Sequence, residues 1–379
     1  MPFALSAAVS SPCMKIADIL HTLESIAPTV LQEGYDNAGL ITGSREWECT
    51  GILCTLDATP QVVDEAVARN CNCIVAHHPI VFRGLKKING SNYVEQAVIK
   101  AIKNDIAIYA AHTNLDNVPD GVNGRIADKI GLTNRKILAP KQGILKKLYT
   151  YVPHEHLETV RNALFAAGAG NISNYSECSF TCPGTGTFKP GEGAEPFSGK
   201  VGERKEEPET KLEVILPAYL ERQVLDALFT AHPYEEVAYE VIGLDNFHQE
   251  TGSGIIGEID PADGAAFLQM LVERFRLQLV RHTALPGGRI KTVAVCGGAG
   301  SFLISNALQA GADAYVTADV KYHEFFDAVP GLLLCDIGHY ESEQFTVDLF
   351  IDIFLQKFPN FAVLKSEVRT NPVNYFTGK

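Results

Sequence analysis

The chain has a deficit of basic residues: 32 lysines and arginines face 45 aspartates and glutamates across 379 positions, a formal net charge of -13. Phosphate backbones are bound through a dense lysine and arginine face, and no basic stretch of that kind occurs, so the composition argues against a nucleic-acid partner. No apolar run approaches the ~20 residues that span a bilayer, which argues against a membrane protein. Residues 1–13 lack the basic start of a signal peptide and the arginines of a transit peptide, and are expected to be a disordered extension ahead of an amphipathic helix that opens at Met14-Lys15. There is no paired cysteine framework. The nine cysteines are an odd count, with Cys54, Cys73, Cys296 and Cys335 scattered through apolar segments, which fits a reducing, cytoplasmic compartment. Cys178 and Cys182 form a C-x3-C pair, but no second pair lies nearby to complete a zinc site. No fixed short period recurs, which excludes a solenoid.

What is present is length and rhythm. The chain is too long for one ordinary core and predicts two or three domains. Apolar periodicity predicts a helix over 15–27, a strand over 51–57, a helix over 60–69, a strand over 73–76, a helix over 93–103, a strand over 106–112 and a helix over 122–130 closed by Gly131. The rhythm returns near the C-terminus, with strands over 291–296, 314–317 and 331–335 and helices over 302–309 and 343–356. Strands alternating with helices imply an α/β core of mainly parallel sheets with helices on both faces. The interval between the halves reads differently, as a compact split β-α-β unit with a Gly/Pro-rich stretch at 183–202 and a charged, solvated, mobile loop at 203–210. The expected domains are therefore a first α/β half over 14–143, an inserted α+β domain over 144–246, and a second α/β half over 247–379.

Three strand ends carry the chemistry. Ala76-His77-His78-Pro79 ends one apolar strand, His112-Thr113-Asn114-Leu115-Asp116 ends the next, and His339 and Glu343 follow the apolar run to Cys335. In parallel sheets ligands bind at these carboxyl ends, because the loops leaving adjacent strands converge there. Adjacent imidazoles at a strand end point to opposite sides of the backbone, so His77 and His78 suit two neighbouring ions better than one held by both. His339 and Glu343, at i and i+4, share one helical face. Together His77, His78, Asp116, His339 and Glu343 supply five hard or borderline ligands for two divalent metal ions, of zinc, iron or manganese. Two ions about 3.5 Å apart make hydroxide available near neutral pH, and hydrolysis is the natural chemistry. His112 and His323 are candidates to orient a ligand or transfer a proton. Gly297-Gly298-Ala299-Gly300-Ser301 is read either as a phosphate-binding turn or as a tight strand-to-helix connection. Gly184-Thr185-Gly186-Thr187-Phe188-Lys189-Pro190-Gly191-Glu192-Gly193 reads as a flexible connector.

These residues resemble the NIF-three-like dinuclear-metal family, the GTP cyclohydrolase I type 2 homologues, in their longer bacterial form of the YqfO type. The resemblance covers nearly everything after Met14. It rests on Tyr35-Asp36-Asn37-Ala38-Gly39-Leu40, Ala76-His77-His78-Pro79, His112-Thr113-Asn114-Leu115-Asp116, Asp319-Val320-Lys321-Tyr322-His323 and Gly338-His339-Tyr340-x2-Glu343. It implies that the five ligands named above are the family's, and that Asp36 belongs to the neighbourhood of the site. It also implies that the insert, through its 184–190 segment and His232-Pro233-Tyr234-Glu235-Glu236-Val237-Ala238-Tyr239, is a P-II/CutA-like, ferredoxin-like domain. The implied assembly is a toroidal homohexamer with metal sites facing an internal cavity.

Beside a purely structural oligomeric scaffold, two functions are open at this level. One is a metal-dependent hydrolase of a small substrate, nucleotides among the candidates, with opening of a purine ring and formate release as one version. The other is a non-catalytic metal-binding adaptor or metallochaperone whose insert senses a small-molecule ligand.

Overall fold

The computed structural model describes residues 14–376, so the expected extension at 1–13 lies outside the described residues. The chain divides into two compact units. One holds the described residues through Ala139 together with those from Thr251, and the other is Pro140–Glu250.

In the first unit, Ile52–Asp57, Cys73–His78 and Ala107–Ala110 are near-continuous apolar runs, buried on both faces as central parallel strands require. They form a five-stranded sheet in the order Gly39–Thr42, Ala107–Ala110, Cys73–His78, Ile52–Asp57, Val363–Lys365. Gly39–Thr42 runs antiparallel and the other pairs are parallel. Helices Pro60–Ala68 and Tyr93–Lys103 cover one face through Val62, Val63, Ala66, Ala97 and Ala101. Thr59 and Asn92 start them by accepting from the backbone N–H groups of Val62 and Glu95. Helix Thr346–Lys357, from the far end of the chain, packs against Ile52–Asp57 and Cys73–His78, which joins the two sequence halves in one body.

The second sheet runs Arg281–His282, Leu333–Asp336, Ala314–Ala318, Ile290–Ala299, His248–Ala262, Thr133–Lys141. Its three middle pairings are two parallel and one antiparallel, so it is mixed, with a parallel centre of three strands. The expected helix over 343–356 is two: His339–Glu343, then Thr346–Lys357.

Within Pro140–Glu250 the strands Leu145–Pro153, Ser179–Phe188, Lys205–Pro217 and Tyr239–Leu244 and the helices Leu157–Ala166 and Glu221–Ala231 follow in the order β-α-β-β-α-β. The sheet order is second, third, first, fourth, with every pair antiparallel, which is the ferredoxin-like split β-α-β arrangement. Its core is Leu148, Val152, Leu164, Val214 and Leu228 under the two helices. Two expectations are corrected here. Residues 205–210 are the start of a 13-residue strand, not a mobile loop, and 184–188 are the end of a strand, not a connector. Ser179–Phe188 is an edge strand bonded on one side only, and an edge tolerates Pro183 and successive glycines where a central strand does not.

Candidate metal centre

The polar residues that end the buried strands emerge side by side. Asp57 and His78 are register partners on adjacent parallel strands, and His78 Nδ1 lies 2.7 Å from Asp57 Oδ1. His77, on the other side of the same strand, is fully buried and places Nδ1 2.8 Å from the Ala111 carbonyl. That carbonyl accepts only, so His77 Nδ1 carries a proton and Nε2 is the nitrogen that can offer a lone pair to a cation. The two rings lie 4.9 Å apart and both reach Glu343: His77 Nε2 is 3.7 Å from Oε1 and His78 Nε2 is 3.0 Å from Oε2. His339, opening its short helix after Gly338, brings Nε2 within 3.1 Å of Glu343 Oε2 and 3.3 Å of His78 Nε2. Its Nδ1 is held at 2.7 Å by Asp319 Oδ2. Asp116 ends the short helix Thr113–Asp116 with Oδ1 3.8 Å from His77 Nε2.

The five ligands expected from sequence thus converge, and His112 joins them. Its ring is 5.2 Å from that of His77, and Nδ1 is bonded to Asp36 Oδ1 at 2.7 Å. Donor atoms of His77, His78 and His112 form one compact trio, and those of His78, His339 and Glu343 another, each able to hold a metal ion. His323 is not brought in: it is exposed, and its ring contacts are with Tyr322 and Phe326. The useful residue of its motif is Asp319. Sequence reasoning missed Asp57 and Asp319, each of which turns an imidazole so that Nε2 faces inward. Gly297-Gly298 is not a phosphate cradle, since the Gly297 N–H donates to Asn123 and the Gly298 N–H to Ser342. A side chain at Gly298 would collide with the Glu343 carboxylate.

Two atoms test whether a cation fits. His77 Nε2 and Asp116 Oδ1 are buried without a hydrogen-bond partner and face one another. Orphaned buried acceptors are costly, and a cation between a lone pair and a carboxylate oxygen would satisfy both. The electrostatics agree. Burial opposes charge on His78, but Asp57 and Glu343 outweigh it and hold its pKa at about 9. Burial likewise opposes charge on His339, and Glu343 with Asp319 raise it to about 11. Burial and the Glu343 charge push Asp116 up to about 7. Glu343 is kept well below the usual range despite burial, by His77 and His339. Burial would raise Asp36, yet hydrogen bonds from His112 and Thr113 bring it down to about 2.

The acidic field therefore draws protons onto imidazoles wherever no cation supplies the charge, and metal uptake must expel them. Apparent metal affinity is expected to rise between about pH 6 and 9, by ~tenfold per unit for each proton displaced, in pH-dependent titration calorimetry. The cation-free protein should show the opposite trend. Imidazoles raised from 6.5 contribute stability fully below that value and lose it as pH climbs through about 9 and 11. Its melting temperature should fall across that window while that of the metal-loaded protein does not.

Fold and site together define a mixed α/β protein with a histidine–carboxylate cluster that can hold a metal ion. The chain belongs to the Duf34/NIF3 (NGG1p interacting factor 3) family, whose model matches residues 14–372. It is 39% identical over 328 residues to a Bacillus subtilis (strain 168) protein named GTP cyclohydrolase 1 type 2 homolog, covering 86% of this chain and 88% of that one. A relative of the same name from Halalkalibacterium halodurans is 38% identical over 378 residues, covering 96% and 100%. The crystal structure of a Bacillus cereus protein related to NIF3 superposes with a TM-score of 0.84 at 39% identity, covering 97% of this chain and 100% of that one. Among the described residues no helix is long and apolar enough to cross a membrane.

Proposed function

We propose that this protein is a dinuclear metal-dependent hydrolase acting on a small substrate, with nucleotides the first class to test. The observation that carries the reading is the facing pair of orphaned acceptors, His77 Nε2 and Asp116 Oδ1, inside a cluster that includes His78, His339 and Glu343. Those five residues would hold two divalent ions, of zinc, iron or manganese. Bound there, such ions acidify water near neutral pH and polarise an electrophile. The protein's own part is orientation and exclusion. Asp57 and Asp319 hold the Nδ1 protons of His78 and His339, and Asp36 does the same for His112. His112 also lines a cavity of about 450 Å³ with Tyr35, Phe82, Asp116 and Glu343, where its remaining ring nitrogen can give or take a proton. A small molecule fits that volume.

The test is turnover of a nucleotide panel by metal-loaded protein. His78→Ala and Glu343→Ala are each expected to lower the rate by at least ~100-fold. Unchanged turnover in both variants overturns the site. Bound metal without turnover, passed reversibly to an apo acceptor, identifies the protein as an adaptor instead.

A further inference from the structure

A cavity whose lining lies wholly within Pro140–Glu250 shares no residue with the metal centre. It measures about 730 Å³, within the range of small-molecule sites. Its walls include the aromatic rings of Tyr151, Phe188, Phe197 and Tyr234 and the glycines of the 184–187 segment. Tyr234 is the hub: its ring lies 6.2 Å from Phe188 and 5.8 Å from Phe197. The segment over the cavity is tied down at three points. Glu195 N–H donates to both oxygens of Glu235, Ser198 Oγ donates to Glu207 at 2.7 Å, and Gly202 N–H donates to Pro190 O at 2.8 Å.

Five charged residues line this space, Lys189, Glu209, Lys211, Glu235 and Glu236, and of them Glu209 alone is buried. Glu209 is 7% exposed and lines the cavity, and its hydrogen bond is from the Tyr234 hydroxyl to Oε1, at 2.7 Å. Burial and the Glu209 carboxylate push the Tyr234 phenol up, so it stays a donor. Among the described residues no cation pairs with Glu209. Lys211, which also lines the cavity, is 3.1 Å from Glu213 and 4.1 Å above the Tyr149 ring, and Lys189 is solvent-exposed. Glu209 Oε2 packs against Gly186, where any side chain would displace it, so the bare backbone at Gly186 is what leaves room for the carboxylate. A buried carboxylate with one neutral donor is poorly compensated, and aromatic faces around it attract positive charge.

We infer that the insert binds a small organic cation, a protonated amine or guanidinium carried on an apolar body, with Glu209 as its counter-ion and Phe188, Phe197 and Tyr234 as its walls. This site is independent of the metal centre. The experiment uses the full chain and three probes of one shape: 2-phenylethylamine, 2-phenylethanol and 3-phenylpropionate, in titration calorimetry. The amine is expected to bind saturably and at least ~tenfold more tightly than the alcohol or the acid. Glu209→Gln, which keeps an acceptor for Tyr234 and hence the fold, should lower amine affinity by at least ~tenfold. Phe197→Leu should weaken it by ~threefold, and His78→Ala should leave it unchanged. No saturable amine binding, equal binding of the alcohol or acid, or full amine affinity in Glu209→Gln overturns the assignment.

Discussion

Glu343→Gln is expected to strip the protein of tightly held divalent metal. Glu343 is the residue on which the imidazoles converge: its oxygens lie 3.0 Å from His78 Nε2, 3.1 Å from His339 Nε2 and 3.7 Å from His77 Nε2, and it is 3% exposed. Glutamine has the same shape, so packing is retained, but it replaces one anionic oxygen with an N–H₂ group aimed at an imidazole. The substitution removes both the charge that holds a cation and one of its ligand atoms. Loss of a partner that merely orients a ligand costs about 10–100-fold in metal affinity, so loss of the ligand itself should exceed ~100-fold. Asp319→Asn supplies the lesser case, since it touches His339 Nδ1 and no inward-facing donor. Metal content after dialysis, measured by elemental analysis beside a Tm with and without added metal, separates the two. Wild-type metal content in Glu343→Gln would show that the cluster is not the site.

The histidine–carboxylate cluster was legible because each of its five expected members follows a buried strand, and a polar residue ending an apolar run is visible without a structure. Asp57 and Asp319 were not. Asp57 reads as the last residue of a strand, and its partnership with His78 exists only through strand register. Asp319 was obscured by His323, the residue of the same motif with the more conspicuous chemistry, although a backbone turn at φ 54 sends Asp319 toward the cluster and leaves His323 exposed. The parallel centres of both sheets were readable for the same reason as the ligands. The flanking strands Thr133–Lys141 and His248–Ala262 were not, since one opens with the exposed Asn134-Arg135-Lys136 and the other holds Gly252, Gly254 and Gly257, a pattern that reads as loop. The insert posed the converse difficulty: the charge-rich, Pro-bearing run 203–210 resembles a solvated linker, and pairing with Ser179–Phe188 makes a strand of most of it.

Gly121→Ala is the substitution expected to damage the fold most, and it should damage the metal centre with it. Gly121 precedes helix Val122–Ile130, donates its N–H to Val118 O at 3.1 Å and accepts from Arg125 N–H at 3.0 Å, so its backbone is held from both sides. A Cβ there would fall within the van der Waals shell of the Leu115 carbonyl oxygen and 3.0 Å from Val118 Cγ2. The obstruction is main chain, which has no rotamer to change. The 113–121 turn must therefore open or the helix start must shift, and either movement carries Asp116, the next residue after Leu115, away from His77. Overpacking of this kind costs about 1–3 kcal/mol, and breaking the helix start adds ~1 kcal/mol. The expected outcome is a denaturant midpoint lowered by ~2–4 kcal/mol in stability, with metal affinity reduced in the fraction that folds. Gly287→Ala, where a Cβ would meet no atom within 4 Å, should leave both unchanged. Wild-type stability in Gly121→Ala would mean that the 113–121 turn yields without cost, and that Asp116 is held by less than the geometry implies.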